Sequence, residues 1–212
     1  MATETLIELP ADQQDEYRVR AGTVRFLTIP RHHFAMIDGS GPPDPDELGS
    51  RIPALFTMAY GLHFVLKKRD VQTKLTPLEG LWWREGSMDL DDILAEDRTD
   101  WRWTLLIGLP EAATDDEVGE QLTIARTKIE PGIAASLRTE WFEEGGVAQV
   151  LHVGPYAEER PSIERLHAAI ANAEFELRGR HHEIYVGDPR RSAPERLRTV
   201  IRQPIARRSA VM

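Results

Sequence analysis

The sequence AQVLHVGP at residues 148–155 decides the fold, because its plan occurs twice in the chain. Its first residues are mostly apolar and favour strands, so they predict a strand. Gly154-Pro155 then ends regular structure, since proline lacks a backbone donor and fixes its φ angle. An earlier strand, FAMI at 34–37, likewise runs into Gly41-Pro42. The chain is therefore predicted to contain two related halves.

A helix and a strand that carries a glutamate follow each Gly-Pro. Apolar residues recur at helical spacing from 44 to 67 and from 158 to 178, so each half contains a predicted helix. The strand LEGLWW at 78–83 follows the first helix, and HHEIYV at 181–186 follows the second. The fold class is thus α+β. We expect duplicated βαββ units with pseudo-two-fold symmetry, an antiparallel sheet with helices packed on one face, and a central ligand cleft.

The predicted organisation is a single domain with short ends. The last strand of each half is predicted at 101–109 and at 199–205. A strand at 134–141 and a turn at Gly145-Gly146 lead into the second half. The predicted segments are a polar lead at 1–21, the domain at 22–206 with halves at 22–110 and 134–206, a linking helix at 114–128, and a tail at 207–212.

Composition limits the classes of partner. The net charge is −9, from 26 basic and 35 acidic residues, whereas a nucleic-acid binder carries a basic footprint. The absence of cysteine excludes disulfides and thiolate metal sites. The acidic, polar start does not resemble a signal peptide, and no apolar run is long enough to span a bilayer. We therefore expect a cytoplasmic protein that binds neither nucleic acid nor membrane; its oligomeric state is not indicated.

Several motifs resemble the GyrI-like (gyrase-inhibitor-like) small-molecule-binding family. They are MIDG at 36–39, ALFTMAY at 54–60, PLEGLWW at 77–83, LHVGPY at 151–156 and HHEIYVGDPRR at 181–191. The resemblance covers residues 25–205, and its last motif is the most specific. It implies a duplicated βαββ fold with a hydrophobic cleft, similar to the effector-binding domains of multidrug-responsive regulators. With no separate helix-turn-helix domain in the sequence, this chain resembles a stand-alone module.

Glu183 is the strongest candidate for a site residue. On a strand, His181, Glu183 and Tyr185 share one face and Ile184 lies on the other. If Ile184 lies beneath the helices, Glu183 faces the cleft with Tyr185 beside it. These two residues would be catalytic in an enzyme, with the carboxylate acting on a water, and would otherwise orient a cationic ligand. The competing interpretation is a structural acid bonded to a turn or a neighbouring strand.

Glu79 is predicted to be the pseudo-symmetric counterpart of Glu183. Gly80 follows it instead of a bulky residue, which indicates a close approach of the backbone. The two halves need not share a function, so Glu79 is predicted either to line the pocket or to be structural.

Aromatic residues are candidates for a ligand cage. Alternation along the strands puts Trp83 on the Glu79 face and Trp82 opposite it, while Trp101 and Trp103 share a face. Core packing is the competing role, but aromatics beside a cleft also suit planar ligands. The candidate ligand-binding residues are Tyr60, His63, Phe64, Glu79, Trp83, Trp101, Trp103, Tyr156 and His181, with Trp83 and Trp103 favoured as cage members.

Neither a metal nor a cofactor is expected. The pairs His32-His33 and His181-His182 lie on extended segments, so the members of each pair point to opposite faces. No histidine motif with a nearby acid occurs on one face, and the sequence contains no phosphate-binding loop or nucleophile elbow.

Three functions remain open at this point. The first is a small-molecule binding protein that holds flat, hydrophobic, drug-like ligands in an aromatic cleft. The second follows from the resemblance, because some similar stand-alone proteins are hydrolases that open the cyclopropane ring of DNA-alkylating natural products and so protect the cell. The third is a protein-interaction module of the gyrase-inhibitor type, which would require an exposed apolar patch.

Overall fold

The computed structural model describes residues 16–87, 94, 97–187 and 191–208. The predicted polar lead up to residue 15, residues 188–190 of the HHEIYVGDPRR motif and the tail from residue 209 onward lie outside the described residues.

The described chain is a mixed α+β structure, as predicted, and its mapped strand pairings are antiparallel. The seven strands are β1 (Val24–Ser40), β2 (Leu78–Arg84), β3 (Trp101–Gly108), β4 (Arg138–Val153), β5 (Phe175–Leu177), β6 (His181–Tyr185) and β7 (Arg198–Arg207). The four α-helices are α1 (Pro45–Lys67), α2 (Asp115–Arg126), α3 (Pro131–Ser136) and α4 (Arg160–Asn172).

The chain divides into two compact units, which we name after their longest helices. The α1 unit contains residues 31–85 and 96–142, and the α4 unit contains the described parts of 1–30, 86–95 and 143–212. This division differs from the predicted halves: β1 and β4 each contribute residues to both units, and helix α2 belongs to the α1 unit and packs against α1.

The α1 unit is a layer of helix on sheet. Asp44 caps α1 by accepting hydrogen bonds from the backbone N–H groups of Asp46 and Glu47, and Pro45 opens the helix where its missing donor is not needed. Strand β3 lies between β1 and β2. The buried face of α1 packs on one side of these strands, in a cluster that includes Leu55, Met58, Leu62, Ala35, Ile37, Leu105, Ile107, Trp82, Trp101 and Trp103.

The other face of the same strands carries a separate apolar cluster. Phe34, Met36, Leu81 and Leu106 are buried there, with Trp83 and Phe142 packed against them. Helices of this unit therefore cover one face only, because successive side chains of each strand alternate between the two clusters.

Gly39 is a site of close packing in the α1 unit. It pairs directly with Trp103 across β1 and β3, and a Cβ atom at Gly39 would overlap the indole ring of Trp103. Gly49, in helix α1, has open space where an added Cβ atom would lie.

We therefore predict opposite effects for alanine at these two glycines. Gly39→Ala should lower the free energy of unfolding by about 1–3 kcal/mol, because the overlap must be relieved by moving a buried ring. Gly49→Ala should be neutral or stabilise by up to about 1 kcal/mol through helix propensity. Urea unfolding of both variants measures this difference, and equal stabilities would contradict the packing around Trp103.

The α4 unit is built around β7. In register, β7 pairs with β4 through Val147↔Pro204 to Val153↔Arg198, and with β6 through His182↔Arg202 to Tyr185↔Thr199. Helix α4 packs its apolar residues on one face of these strands; this cluster includes Ile163, Leu166, Ile170, Val150 and Ile201. On the opposite face Leu151, Ile184 and Val200 are buried beneath Tyr17 and Val19.

Three local predictions are wrong. The predicted strand at 134–141 begins only at Arg138, because Glu130 caps the short helix α3 by accepting from two backbone N–H groups. Gly145-Gly146 is no hairpin turn: β4 continues through it, with Gly145 at φ 66°. The helix predicted to reach 178 ends at residue 172, and Glu174 takes φ 60° before β5 begins.

The element order bears on the predicted duplication. The α1 unit runs β1, α1, β2, β3, α2, α3, and the α4 unit runs β4, α4, β5, β6, β7. Helices α2 and α3 in one unit and the extra strand β5 in the other make the two orders similar but unequal. The duplicated βαββ plan therefore stays a prediction.

Candidate ligand-binding site

Strand β6 places Glu183 on the same side of its sheet as helix α4. Glu183 lies opposite Ile201 in the register, and Ile201 packs with Ile163 and Leu166 of the helix. Ile184 lies on the opposite face, with Leu151 and Val200. The condition under which Glu183 was predicted to face the cleft, with Ile184 beneath the helices, is therefore not met, and Glu183 occupies the helix side of the strand.

The Glu183 carboxylate is held by its own strand. The Tyr185 hydroxyl donates a hydrogen bond of 2.8 Å to Oε2, and Nε2 of His181 lies 3.4 Å from Oε1. The second distance is longer than a good N–H···O bond, so it is an electrostatic contact. The side chain of Glu183 keeps 19% of its surface exposed, whereas that of His181 keeps 2%. Glu183 is thus oriented by Tyr185 and still reachable from solvent.

Tyr156 adds an aromatic wall next to this pair. It lies in the short 3-10 turn that follows Gly154-Pro155 and meets the Tyr185 ring edge-on, with centroids 5.6 Å apart and an interplanar angle of 77°. Tyr156 is exposed. Such an arrangement offers a ring face next to a carboxylate, which suits a flat ligand that carries positive charge.

His167 of helix α4 is a further titratable residue close to His181. Its imidazole is buried, and burial together with the charge of nearby His181 lowers its pKa to about 4. His167 is therefore neutral at pH 7. His167 was not among the predicted site residues. It could have been noticed as a polar residue within the apolar pattern of the helix, between Leu166 and Ile170.

Glu79 does not occupy the position equivalent to Glu183. It is 1% exposed and lies opposite Leu106, on the face of the α1 unit that its helices do not cover. Glu183 lies on the helix-covered face of its own unit. The prediction that the two glutamates are pseudo-symmetric counterparts is wrong, because alternation along the strands sends them to opposite sides.

The four strand tryptophans divide between two faces as the alternation predicted. Trp82 packs against Trp101 and Trp103 across the strands, at centroid distances of 6.1 and 6.2 Å, and all three are buried under α1. Trp83 is partly buried on the opposite face. In this conformation Trp101 and Trp103 are core residues, and they do not lie on one face with Trp83.

The remaining candidates lie on helix α1. Tyr60 is 48% exposed and Phe64 is 56% exposed, one turn apart on the outer side of the helix. Phe56 continues this stripe, with its ring centroid 6.1 Å from that of Tyr60. His63 is partly buried and its Nδ1 lies 2.8 Å from the Thr73 hydroxyl. Exposed aromatics on a soluble protein mark an interaction surface when they cluster.

Within the described residues, no group of three or more histidine, aspartate or glutamate side chains is arranged to hold a metal ion. In the same part of the chain, no helix is long and apolar enough to cross a membrane.

The sequence profile of the GyrI-like small molecule binding domain matches residues 22–206. The chain belongs to this family. The GyrI-like domain thus spans both units and contains every residue of the candidate site. No curated protein matches the chain significantly.

Solved structures similar to this GyrI-like domain have different descriptions. An uncharacterised conserved protein from Listeria innocua is 29% identical, with a TM-score of 0.78 over 92% of this chain and 97% of its own. A hydrolase from Listeria innocua is 26% identical, with a TM-score of 0.72 over 92% and 96% of the two chains. The C-terminal domain of EcmrR shares the fold at 11% identity, with a TM-score of 0.58 over 88% and 98%.

Proposed function

We propose that this GyrI-like domain binds a flat, hydrophobic small molecule that is cationic or electrophilic, and that Glu183 is the residue that recognises it. The observation that carries the proposal is the Glu183 carboxylate itself, oriented by the Tyr185 hydroxyl at 2.8 Å and still partly exposed. A partly exposed carboxylate can accept hydrogen bonds from a ligand or pair with its positive charge. The negative charge of Glu183 favours a cationic ligand, and so does the net charge of −9 on the protein.

Aromatic side chains supply the apolar part of this recognition. Tyr156 is exposed and meets Tyr185 edge-on, so the ring of Tyr156 is the one on which a flat ligand would stack. The exposed Tyr60 and Phe64 offer a second aromatic surface, on α1. The expected ligands are therefore drug-like or toxin-like compounds, which this domain would sequester to protect the cell.

A second function, hydrolysis, is supported by solved relatives described as hydrolases, at 26% and 28% identity. In this reaction Glu183 would take a proton from a water molecule, and the water oxygen would form a bond to a carbon of an activated cyclopropane. The ring carbon–carbon bond would break, its electron pair would move into the conjugated carbonyl system, and a proton returned to that system would complete the addition of one water. Tyr185 would hold the carboxylate in position.

The test uses the purified protein and a cyclopropane-bearing DNA alkylator. Tryptophan fluorescence records binding, while mass spectrometry follows the compound over time. Saturable quenching with an unchanged compound supports a binding protein, and many turnovers to a product heavier by one water support the hydrolase. A cationic rhodamine dye, titrated separately, covers ligands that carry no reactive ring. If neither compound gives saturable binding, the proposed function is wrong.

A further inference from the structure

Behind strand β6 lies a row of buried polar side chains that no function described so far uses. His182, Arg202 and Gln149 lie directly opposite one another in register on β6, β7 and β4. All three are at most 2% exposed. They lie on the face opposite helix α4, and His182 is the neighbour of Glu183 in the chain.

Hydrogen bonds connect the members of this row, with Glu144 linking His182 to Arg202. Arg202 Nε donates to Gln149 Oε1 at 3.0 Å, and Gln149 Nε2 donates to the backbone carbonyl of Glu16 at 2.7 Å. Glu144 closes the row: Oε1 lies 2.9 Å from His182 Nδ1 and Oε2 accepts from Arg202 Nη1 at 2.7 Å. The side chains thus join three adjacent strands and the residue that precedes Tyr17.

The charged groups of the row determine the protonation states of Glu144 and His182. Burial alone would raise the pKa of Glu144, but His182 and Arg202 together lower it to about 2. Glu144 is therefore a carboxylate at pH 7, and His182 must carry its proton on Nδ1 to donate to it. A buried carboxylate with two donors and a paired guanidinium is a satisfied network, whereas removing one member would leave a buried charge uncompensated.

A network of this kind favours one strand register. A slip of one residue along β6 would bring His182 to the helix side and Glu183 to the buried row, because side chains alternate. Such a slip would separate His182 from Glu144 and place a second carboxylate beside it. Apolar packing specifies the register of β6 less strongly, because Ile184 is the one β6 side chain that is buried among aliphatic side chains.

We infer that Glu144, His182 and Arg202 are positioning residues, which lock the register of β6 and so hold Glu183 and Tyr185 toward the ligand. This inference rests on the proposed function for its ligand readout, and on strand geometry alone for its second readout. The three residues act through the backbone of β6, because their side chains lie on the face opposite the Glu183 carboxylate.

The decisive variant is Glu144→Gln, which keeps the size of the side chain and removes its charge. Its matched control is Glu143→Gln, the same change on the exposed neighbouring residue of the same strand. Glu144→Gln should raise the dissociation constant for the rhodamine dye at least tenfold and speed the hydrogen exchange of the β6 amides. Glu143→Gln should leave both unchanged.

A second variant keeps the inference testable if Glu144→Gln does not fold. In it Glu144→Leu, His182→Leu and Arg202→Met replace the charged members by apolar residues of similar size, which buried networks tolerate without loss of folding. We expect this triple variant to melt within a few degrees of the wild type and to bind the dye at least tenfold more weakly. A variant that melts like the wild type and binds like it would show that the row is structural only.

The two readouts separate this inference from the proposed function. If the wild-type protein does not bind the dye, the proposed function fails for that compound, and the exchange of the β6 amides still decides the inference. Unchanged protection of those amides in the folded Glu144→Gln or triple variant would overturn it. Loss of protection without any change in dye affinity would also overturn it, because the register would then not matter to the ligand.

Discussion

Glu183→Gln should raise the dissociation constant for a cationic rhodamine dye by about tenfold to a hundredfold, as expected for the loss of a partly buried charged partner. The variant keeps the size of the side chain, and the Tyr185 hydroxyl can still donate to the amide oxygen. Stacking on Tyr156 and Tyr185 should therefore persist, so binding should be weakened rather than abolished. Fluorescence anisotropy of the dye measures the change directly.

The matched control for this variant is Glu176→Gln, which removes a charge of the same sign from an exposed position on β5 of the same unit. It separates a local effect of Glu183 from a general change in the negative field of the protein. Equal affinities for Glu183→Gln and Glu176→Gln would contradict the role of Glu183. If the protein hydrolyses the alkylator, Glu183→Gln should also stop turnover while quenching persists.

His167 should make the protein about 3 kcal/mol less stable below pH 4 than above pH 6.5. Burial and then the charge of His181 lower its pKa from 6.5 to about 4. Above pH 6.5 the imidazole is neutral in both states, and the full stability is present. As the pH falls toward 4 the unfolded chain takes up the proton first, so the folded state loses stability. Below pH 4 both states are protonated and the loss is complete.

His167→Leu should remove this dependence. Within the described residues, His167 Nε2 makes no hydrogen bond, so leucine at this buried position on α4 should cost little at neutral pH. Urea unfolding of both proteins between pH 7 and 4.5 measures the difference, and the titration of Glu144, which both proteins share, cancels in the comparison. Parallel stability curves for the wild type and His167→Leu would contradict the assignment.

Most of the fold follows from short-range patterns that the sequence displays. The alternation in LEGLWW and the neighbouring strand placed Trp82 opposite Trp83 and put Trp101 and Trp103 on one face, and the structure has this arrangement. The helix in the first half was predicted because its apolar stripe is long and regular. These signals depend only on the spacing of residue types along the chain, so a single sequence is enough to detect them.

The predictions that were wrong depended on tertiary context. Gly145-Gly146 has the composition of a hairpin turn, but strand pairing carries β4 through it. Which face of β6 the helix covers cannot be read from alternation, because alternation is unchanged when the strand is turned over. For that reason the sequence left open whether Ile184 lies beneath the helices. The match of Glu79 with Glu183 rests on element order, which does not determine the faces on which the two residues lie.

The buried polar row was not found in the sequence because its members are far apart in the chain. Glu144, His182 and Arg202 are ordinary charged residues in their local contexts, and only the β4–β7–β6 register brings them together. Charged residues in strands usually indicate a solvated face. The one local signal was His182, a polar residue that alternation places on the same face as the apolar Ile184.

The most direct test of the central claim is a crystal structure of the protein with the cationic dye bound. The account predicts that the positive group lies within about 5 Å of the Glu183 carboxylate, with a ring stacked on Tyr156 or Tyr185, since charge pairing and cation–π contact both act at that range. A dye bound elsewhere, with no atom near Glu183, would contradict it.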